Sequence, residues 1–247
     1  MAPPRVVGVI PARWASTRLP GKMLADIAGV PLIVRTLDAA RRASSLDEIV
    51  VATDDERIAS AVRSAGGTTV LTDPALPSGS DRAWAAMRDR PGEIIVNIQG
   101  DEPLLPGGVI DATVSLLLRR DDFAVTTAAA PLAREALEDP NAVKVVADDG
   151  GRALYFSRAP IPFPRDEARG GSDSPSLFRL HIGLYAFRRE TLERFCSWPP
   201  SPLERCERLE QLRLLEHGVA VGVADVRYEA AGVDSPEDLE RVRRLLS

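Results

Sequence analysis

The chain has 247 residues, enough to bury a substantial core in one large domain or in a core with a subdomain. Apolar residues make up 45% and charged residues 27%, which is ordinary globular composition. The net charge of −5 argues against a surface that coats nucleic acid, and no apolar run approaches the roughly 18 residues of a membrane span.

The first half of the chain alternates apolar strands with amphipathic helices. We predict strands at 6–10, 48–52, 68–71 and 93–98, and helices at 31–42, 80–88 and from a cap at Asp54 to residue 64. Near-continuous apolar strands that alternate with helices indicate an α/β fold with a parallel sheet covered on both faces. Ligands of such sheets bind at the carboxyl ends of the strands. The loop after the first strand should therefore lie beside the end of the fourth.

The pattern changes from about residue 123. Strands are predicted at 123–129 and 142–146, followed by a hairpin turn at 148–151 and a returning strand at 154–156. Residues 160–176 are rich in proline, glycine and charge and are predicted to form a loop. A helix at 202–217, a strand at 220–226 and a terminal helix that begins after Asp234 complete the chain.

The loop after the first strand carries three cations, Arg13, Arg18 and Lys22, among small residues and without a helix or strand period. This arrangement is typical of a triphosphate cradle, in which backbone N–H groups approach an anion that the cations neutralise. The chain has two lysines, Lys22 and Lys144, so an ammonium at position 22 is unlike the arginines used elsewhere. The alternative is an ordinary basic surface turn. A standard P-loop is excluded, because the loop lacks the Gly-x4-Gly-Lys-Ser/Thr pattern.

Two carboxylates are candidate metal ligands. Asp101 follows a buried strand and a glycine, where it could hold a magnesium ion beside phosphates, or it could be a turn-forming residue before Glu-Pro. Asp234 precedes Ser235 and Pro236, a pattern that favours a capped helix start over a metal ligand on local grounds.

Three further segments carry polar groups that could bind a ligand. The segment from Ser78 to Arg82 could hold a base or a phosphate, or could be a plain capped helix start. His181 is one of two histidines and lies in an apolar strand, where a packed histidine is the alternative to a ligand. Glu210 and Gln211 lie in a predicted helix, where a solvated face is the alternative.

In this order the motifs resemble the 3-deoxy-manno-octulosonate cytidylyltransferase family, also called CMP-Kdo synthetases. The resemblance extends over about residues 6–245. Its markers are Ile10-Pro11-Ala12-Arg13, Leu19-Pro20-Gly21-Lys22, Val51-Ala52-Thr53-Asp54, Ser78-Gly79-Ser80-Asp81-Arg82, Asn97-Ile98-Gln99-Gly100-Asp101-Glu102-Pro103, Asn141-Ala142-Val143-Lys144-Val145-Val146, Tyr155-Phe156-Ser157-Arg158, His181-Ile182-Gly183-Leu184-Tyr185, Leu209-Glu210-Gln211-Leu212-Arg213 and Gly232-Val233-Asp234-Ser235-Pro236.

The resemblance implies a Rossmann-like, GT-A-like nucleotidyltransferase fold with a mixed, mostly parallel sheet. One domain would span 1–247, and about 150–220 would form a small α/β subdomain for acceptor binding and homodimer formation. The implied nucleotide-binding residues are Pro11, Ala12, Arg13, Arg18, Lys22, Ser78, Arg82 and Gln99, of which Arg13 and Lys22 act in catalysis with Asp101. The implied acceptor-binding residues are Arg158, His181, Tyr185, Glu210 and Gln211, and the implied Mg²⁺ ligands are Asp101 and Asp234.

The implied reaction is attack by the anomeric hydroxyl of 3-deoxy-D-manno-octulosonate on the α-phosphorus of CTP, with release of pyrophosphate. We expect a cytoplasmic, magnesium-dependent homodimer that serves lipopolysaccharide biosynthesis and binds neither nucleic acid nor membrane. The two cysteines, too few for a disulfide framework, agree with a reducing compartment. Pro77 and Leu180 depart from the family pattern, and Leu180 replaces a common basic residue. A related enzyme that acts on another ulosonate, a sialic-type acid or a phosphonate is one alternative, and a non-catalytic nucleotide-binding protein is another.

Overall fold

The computed structural model describes residues 3–15, 19–163, 177–229 and 231–246. The strands in these ranges are β1 (Val6–Ala12), β2 (Asp26–Ile27), β3 (Val30–Pro31), β4 (Glu48–Thr53), β5 (Thr68–Leu71), β6 (Ile94–Asn97), β7 (Val125–Pro131), β8 (Lys144–Ala147), β9 (Ala153–Ser157), β10 (Arg179–Arg188) and β11 (Val221–Asp225). The helices are α1 (Leu32–Ala40), α2 (Glu56–Ser64), α3 (Gly79–Met87), α4 (Gly107–Arg119), α5 (Arg189–Ser197), α6 (Pro202–Glu207), α7 (Gln211–Glu216) and α8 (Pro236–Leu246). Of these helices, none is both long enough and apolar enough to cross a bilayer.

A large mixed sheet organises the fold, in the order β11-β7-β10-β6-β1-β4-β5, with β8 and β9 attached beside β10. The strands β6, β1, β4 and β5 are parallel to one another, as the alternating pattern of the first half predicts. Between β6 and β7 lies β10, which runs antiparallel to both. The α/β fold with a mixed sheet is therefore confirmed.

Both faces of the sheet are covered, because side chains of successive residues in β1 enter different hydrophobic clusters. Val6 and Ile10 pack into one cluster, which contains residues of α1, α2 and α4. Val7 and Val9 pack into the other, which contains residues of α3 and α5. The alternation follows from the pleat of a strand, whose side chains point to opposite faces. A sheet buried in this way leaves the ends of its strands as the place for a site.

Two local predictions are wrong. Asp55, not Asp54, caps α2, because its side chain accepts a hydrogen bond from the Arg57 N–H. The helix predicted at 202–217 is two helices, α6 and α7, separated at Arg208, whose φ of 54° is left-handed. A left-handed residue ends a helix, and here no glycine marks the position.

Gly100 allows the ends of β1 and β6 to come together. A Cβ at this position would lie 2.7 Å from the Pro11 carbonyl oxygen, closer than van der Waals contact permits. The Thr36 hydroxyl donates a 2.9 Å hydrogen bond to the Gly100 carbonyl and holds the turn on α1. The residue that follows, Asp101, is thereby brought against the loop after β1.

We predict that Gly100→Ala lowers the free energy of unfolding by about 1 to 3 kcal/mol, the usual cost of overpacking a close contact. Urea unfolding monitored by circular dichroism would measure it. Gly108→Ala is the control for an added methyl group, because no atom outside its chain neighbours and its own helix backbone lies within 4 Å of a Cβ built there. Wild-type stability of Gly100→Ala would contradict a steric role for Gly100.

Candidate active site

Lys22 joins two carboxylates at the carboxyl end of the sheet. Its Nζ lies 2.7 Å from Asp101 Oδ2 and 3.1 Å from Asp234 Oδ1. The Val233 N–H donates a 2.9 Å hydrogen bond to the Asp101 carbonyl, which ties the two acidic segments together. The Lys22 side chain is 9% exposed, whereas those of Asp101 and Asp234 are 27% and 48% exposed. The carboxylates can therefore reach a ligand without uncovering the lysine.

This group has the chemistry of a magnesium site that a phosphate ligand would complete. Magnesium usually takes one or two protein carboxylates and fills its remaining positions with phosphate oxygens and water. Asp101 and Asp234 supply two carboxylates to one point, where the Lys22 ammonium shows that a cation is accommodated. In the described residues there is no group of three acidic, histidine or cysteine side chains that could hold a metal without such help.

Glu102 helps to hold the segments of Asp101 and Asp234 together. Its Oε2 accepts a 2.7 Å hydrogen bond from the Tyr228 hydroxyl, which fastens the segment before Asp234 to the Asp101 turn. Burial, together with the negative charges of Asp101 and Asp234, raises the pKa of Glu102 to about 7, although the Tyr228 hydrogen bond opposes the shift. Sequence reasoning missed this residue, whose position inside the Asn97–Pro103 motif is the signal that could have identified it.

A cleft of about 310 Å³ opens in front of these charges. We call it the charged cleft. Nine of the predicted site residues line it, namely Pro11, Arg13, Lys22, Ser78, Arg82, Gln99, Asp101, Glu210 and Asp234. Arg18 lies outside the described residues. Ala12 is fully buried in the core and does not line the cleft. The loop after β1 and the end of β6 thus face one cleft, as the parallel sheet predicts.

Asp54 supports the charged cleft through Arg82, which lines the cleft. One oxygen accepts a 2.9 Å hydrogen bond from the Trp14 N–H, and the other lies 3.3 Å from a guanidinium nitrogen of Arg82. The Asp54 and Arg82 side chains are 8% and 3% exposed, so this pair is buried. Because Arg82 also donates to the Thr72 hydroxyl, its guanidinium fixes the cleft wall from inside the protein. The Ser78 side chain caps α3 by accepting a hydrogen bond from the Asp81 N–H, which agrees with the prediction of a capped helix start at this segment.

A second cavity of about 330 Å³ adjoins the charged cleft. We call it the aromatic pocket, because Tyr185, Phe187 and Phe195 are among the residues that line it. Four predicted acceptor residues line this pocket, namely His181, Tyr185, Glu210 and Gln211. Gly79, Gln99 and Glu210 line both the pocket and the cleft, so ligands in the two would meet at this shared wall.

Arg158 stands apart from the other predicted acceptor residues. Its guanidinium donates 2.8 Å hydrogen bonds to the carbonyls of Pro140 and Glu207, and it is not among the residues that line the aromatic pocket. In the part of the chain that the structure describes, Arg208 is the one cation in the lining of the pocket. The turn that divides α6 from α7 places it there.

Two buried polar atoms in the wall of the aromatic pocket have no hydrogen-bond partner and could bind a polar ligand. Asn97 Oδ1 and Gln211 Nε2 are buried and have no hydrogen-bond partner, which is costly unless a ligand or water supplies one. Asn97 donates to the Ser80 hydroxyl at 3.3 Å, and Ser80 donates to Glu210 Oε2 at 3.0 Å. Burial raises the pKa of Glu210, and the hydrogen bond from Ser80 opposes the rise. Sequence reasoning missed Asn97, although it ends an apolar strand within a motif already quoted.

Comparison with known proteins agrees with this geometry. Residues 7–223 match a family model described as Cytidylyltransferase. Two proteins named 3-deoxy-manno-octulosonate cytidylyltransferase are similar over 98% of this chain and 98% of their own, one from Anaeromyxobacter dehalogenans (strain 2CP-C) at 50% identity and one from Bdellovibrio bacteriovorus at 44%. A solved CMP:2-keto-3-deoxy-manno-octonic acid synthetase in complex with CTP superimposes with a TM-score of 0.92 at 37% identity, covering 98% of both chains. The chain therefore belongs to the 3-deoxy-manno-octulosonate cytidylyltransferase family.

Proposed function

We propose that this protein transfers CMP from CTP to the anomeric hydroxyl of 3-deoxy-D-manno-octulosonate, with release of pyrophosphate. The observation that carries the proposal is the convergence of Lys22, Asp101 and Asp234 in a cleft that shares a wall with a second, polar-lined pocket. CTP would occupy the charged cleft and the sugar acid the aromatic pocket. Family membership supports both assignments.

The protein's contribution to the reaction is positioning and charge neutralisation. Arg13 and Lys22 would neutralise the triphosphate, and Gln99 would lie between nucleotide and sugar acid at the shared wall. The oxygen of the anomeric hydroxyl forms a bond to the α-phosphorus as the bond to the departing pyrophosphate oxygen breaks, and the hydroxyl proton passes to water. Phosphoryl-type transfer of this kind depends on alignment and electrostatics more than on covalent participation of the protein.

Magnesium is part of the proposal. When bound, the ion supplies charge neutralisation at the α-phosphate and lowers the pKa of a hydroxyl that it contacts, and Asp101 and Asp234 are the residues that would hold it. The Lys22 ammonium can then turn from the carboxylates toward phosphate, because an ammonium on a flexible stem keeps its charge while it changes partners.

Arg179 supports the alternative that another acid is the acceptor. Leu180 stands where the family commonly has a basic residue, and Arg179, the neighbouring cation, is paired with Asp225. Arg179 therefore does not replace the basic residue that is absent at position 180, because its charge is paired with Asp225 in β11. Arg208 in the aromatic pocket is the cation that favours a carboxylate-bearing sugar.

Assembly, location and pathway belong to the same proposal, namely a cytoplasmic homodimer that supplies lipopolysaccharide biosynthesis. Phe163 and Leu177 are 83% and 67% exposed, and apolar groups of this size support contact with a second copy through the subdomain at about 150–220. Light scattering after size exclusion would measure the mass in solution.

We predict that pyrophosphate is released when CTP, 3-deoxy-D-manno-octulosonate and Mg²⁺ are all present, and that omission of any one abolishes release. The assay would compare CTP with ATP, GTP and UTP, and the sugar acid with another ulosonate, a sialic acid and a phosphonate. Turnover of a different acid but not of 3-deoxy-D-manno-octulosonate would establish the alternative acceptor. Binding of CTP without turnover of any acid would favour a non-catalytic protein.

We predict that Asp101→Asn lowers kcat by about 100-fold or more, because the variant loses a carboxylate that would hold the Mg²⁺ whose positive charge stabilises the transition state. The rate of pyrophosphate release at saturating Mg²⁺ measures the effect, and thermal melting checks the fold. Asp121→Asn is the control, since the Asp121 side chain is fully exposed beside Arg188, at the opposite end of β10 from His181. Unchanged turnover in Asp101→Asn would refute the assignment of Asp101.

A further inference from the structure

His181 is a neutral ring in an apolar and aromatic setting. Its centroid lies 5.0 Å from that of Phe156 in an edge-to-face contact and 5.4 Å from that of Tyr185. Burial lowers the pKa of His181 to about 3, so the imidazole carries no charge at neutral pH. A neutral imidazole has one donor nitrogen and one acceptor nitrogen, and its surroundings decide which is which.

A bulge in β10 brings Thr127 to His181. Ala128 pairs with Ile182 and the next residue of β7, Thr127, pairs with Tyr185, so Gly183 and Leu184 stand outside the regular register. The fully buried Thr127 hydroxyl lies 2.7 Å from the Leu184 carbonyl and 3.1 Å from the Ile182 carbonyl. Bulges of this kind often redirect side chains near active sites.

The hydrogen-bond count at Thr127 fixes the tautomer of His181. The hydroxyl has a single proton, and its two carbonyl neighbours can only accept. The proton therefore goes to these carbonyls, and the oxygen presents lone pairs to His181 Nε2 at 3.0 Å. Nε2 must then carry the imidazole proton and donate it to Thr127. The remaining nitrogen, Nδ1, has a free lone pair, and none of the described residues donates a hydrogen bond to it.

We propose that Thr127 is a positioning residue that fixes His181 in the Nε2–H tautomer, so that Nδ1 serves the aromatic pocket as a hydrogen-bond acceptor for a sugar hydroxyl. The identity of that ligand rests on the proposed function, whereas the tautomer does not. Among the unpaired polar atoms of the residues that line the pocket, Gln211 Nε2 is a donor, whereas Asn97 Oδ1 and His181 Nδ1 are acceptors. His181 consequently recognises a hydroxyl and leaves the carboxylate of the sugar acid to a cation.

Nitrogen NMR of the protein labelled with ¹⁵N-histidine tests this directly. The chain has two histidines, and His217, which stacks on Trp198 outside the pocket, is identified by the signals that disappear in His217→Gln. We expect His181 to show a protonated Nε2 and a bare Nδ1 throughout the range from about pH 5 to 8, in which an ordinary histidine titrates. A protonated Nδ1 or a charged ring in this range would overturn the proposal.

The variants Thr127→Val and Thr127→Ser separate the hydroxyl from the shape of the side chain. We expect Thr127→Val to lose the fixed tautomer and to raise the KM for the sugar acid about tenfold, with the KM for CTP changed by less than about twofold. Thr127→Ser keeps the hydroxyl, so we expect it to show the wild-type NMR pattern and the wild-type KM for the sugar acid. Thr127→Val with the wild-type tautomer and the wild-type KM for the sugar acid would overturn the role of Thr127.

Two further outcomes remain informative. If Thr127→Val does not fold, the spectra of the wild type and of Thr127→Ser decide, since both must show the Nε2–H form. If the enzyme turns over no sugar acid, the proposed function fails. The tautomer assignment is still upheld if the wild type and Thr127→Ser show the Nε2–H form of His181 and Thr127→Val does not.

Discussion

The ion pair between Lys22 and its two carboxylates is the constraint on which the site depends. Asp101 is 79 residues and Asp234 is 212 residues from Lys22 along the chain, so three distant segments meet at one ammonium. Two carboxylates with one ammonium leave an excess negative charge, which adds to the effect of burial in raising the pKa of the neighbouring Glu102. A partly buried site with excess negative charge favours a further cation. Arg13 in the same cleft favours an anion, so the cleft as a whole is suited to a metal with its phosphates.

The sequence allowed the parallel half of the sheet to be predicted because its strands are mostly apolar and alternate with amphipathic helices. The strand at 68–71 agrees with β5 residue for residue, and the loop after β1 meets the end of β6 as expected. The placement of β10 between β6 and β7 was not predictable, since strand periodicity does not say which strands pair. The break at Arg208 was also hidden, because a non-glycine residue adopts the left-handed conformation there.

Part of the candidate site could also be predicted from the parallel sheet. Residues on the loop after β1 and at the ends of strands were identified, because a parallel sheet brings such positions to one edge. Asp54 was assigned to a helix cap, whereas its carboxylate joins the Trp14 backbone to Arg82. That role depends on a contact between segments that lie 40 residues apart, which local capping rules do not describe. Asn97 was overlooked because the sequence does not show that its side-chain oxygen is buried and unpaired in the packed pocket.

The two lysines show why this chain, rich in arginine, retains an ammonium at two positions. Both are buried, Lys22 with 7% and Lys144 with 0% of its surface exposed. Lys144 donates to the carbonyls of Asp139 and Arg158, where a compact point charge fits and a planar guanidinium would not. Under the proposed function, Lys22 would need the same compactness for a different reason, since its partners would change as phosphate and metal enter. A guanidinium with two fixed donor nitrogens suits Arg82, whose contacts hold the cleft wall, and an ammonium suits Lys22, whose charge would have to follow the ligand.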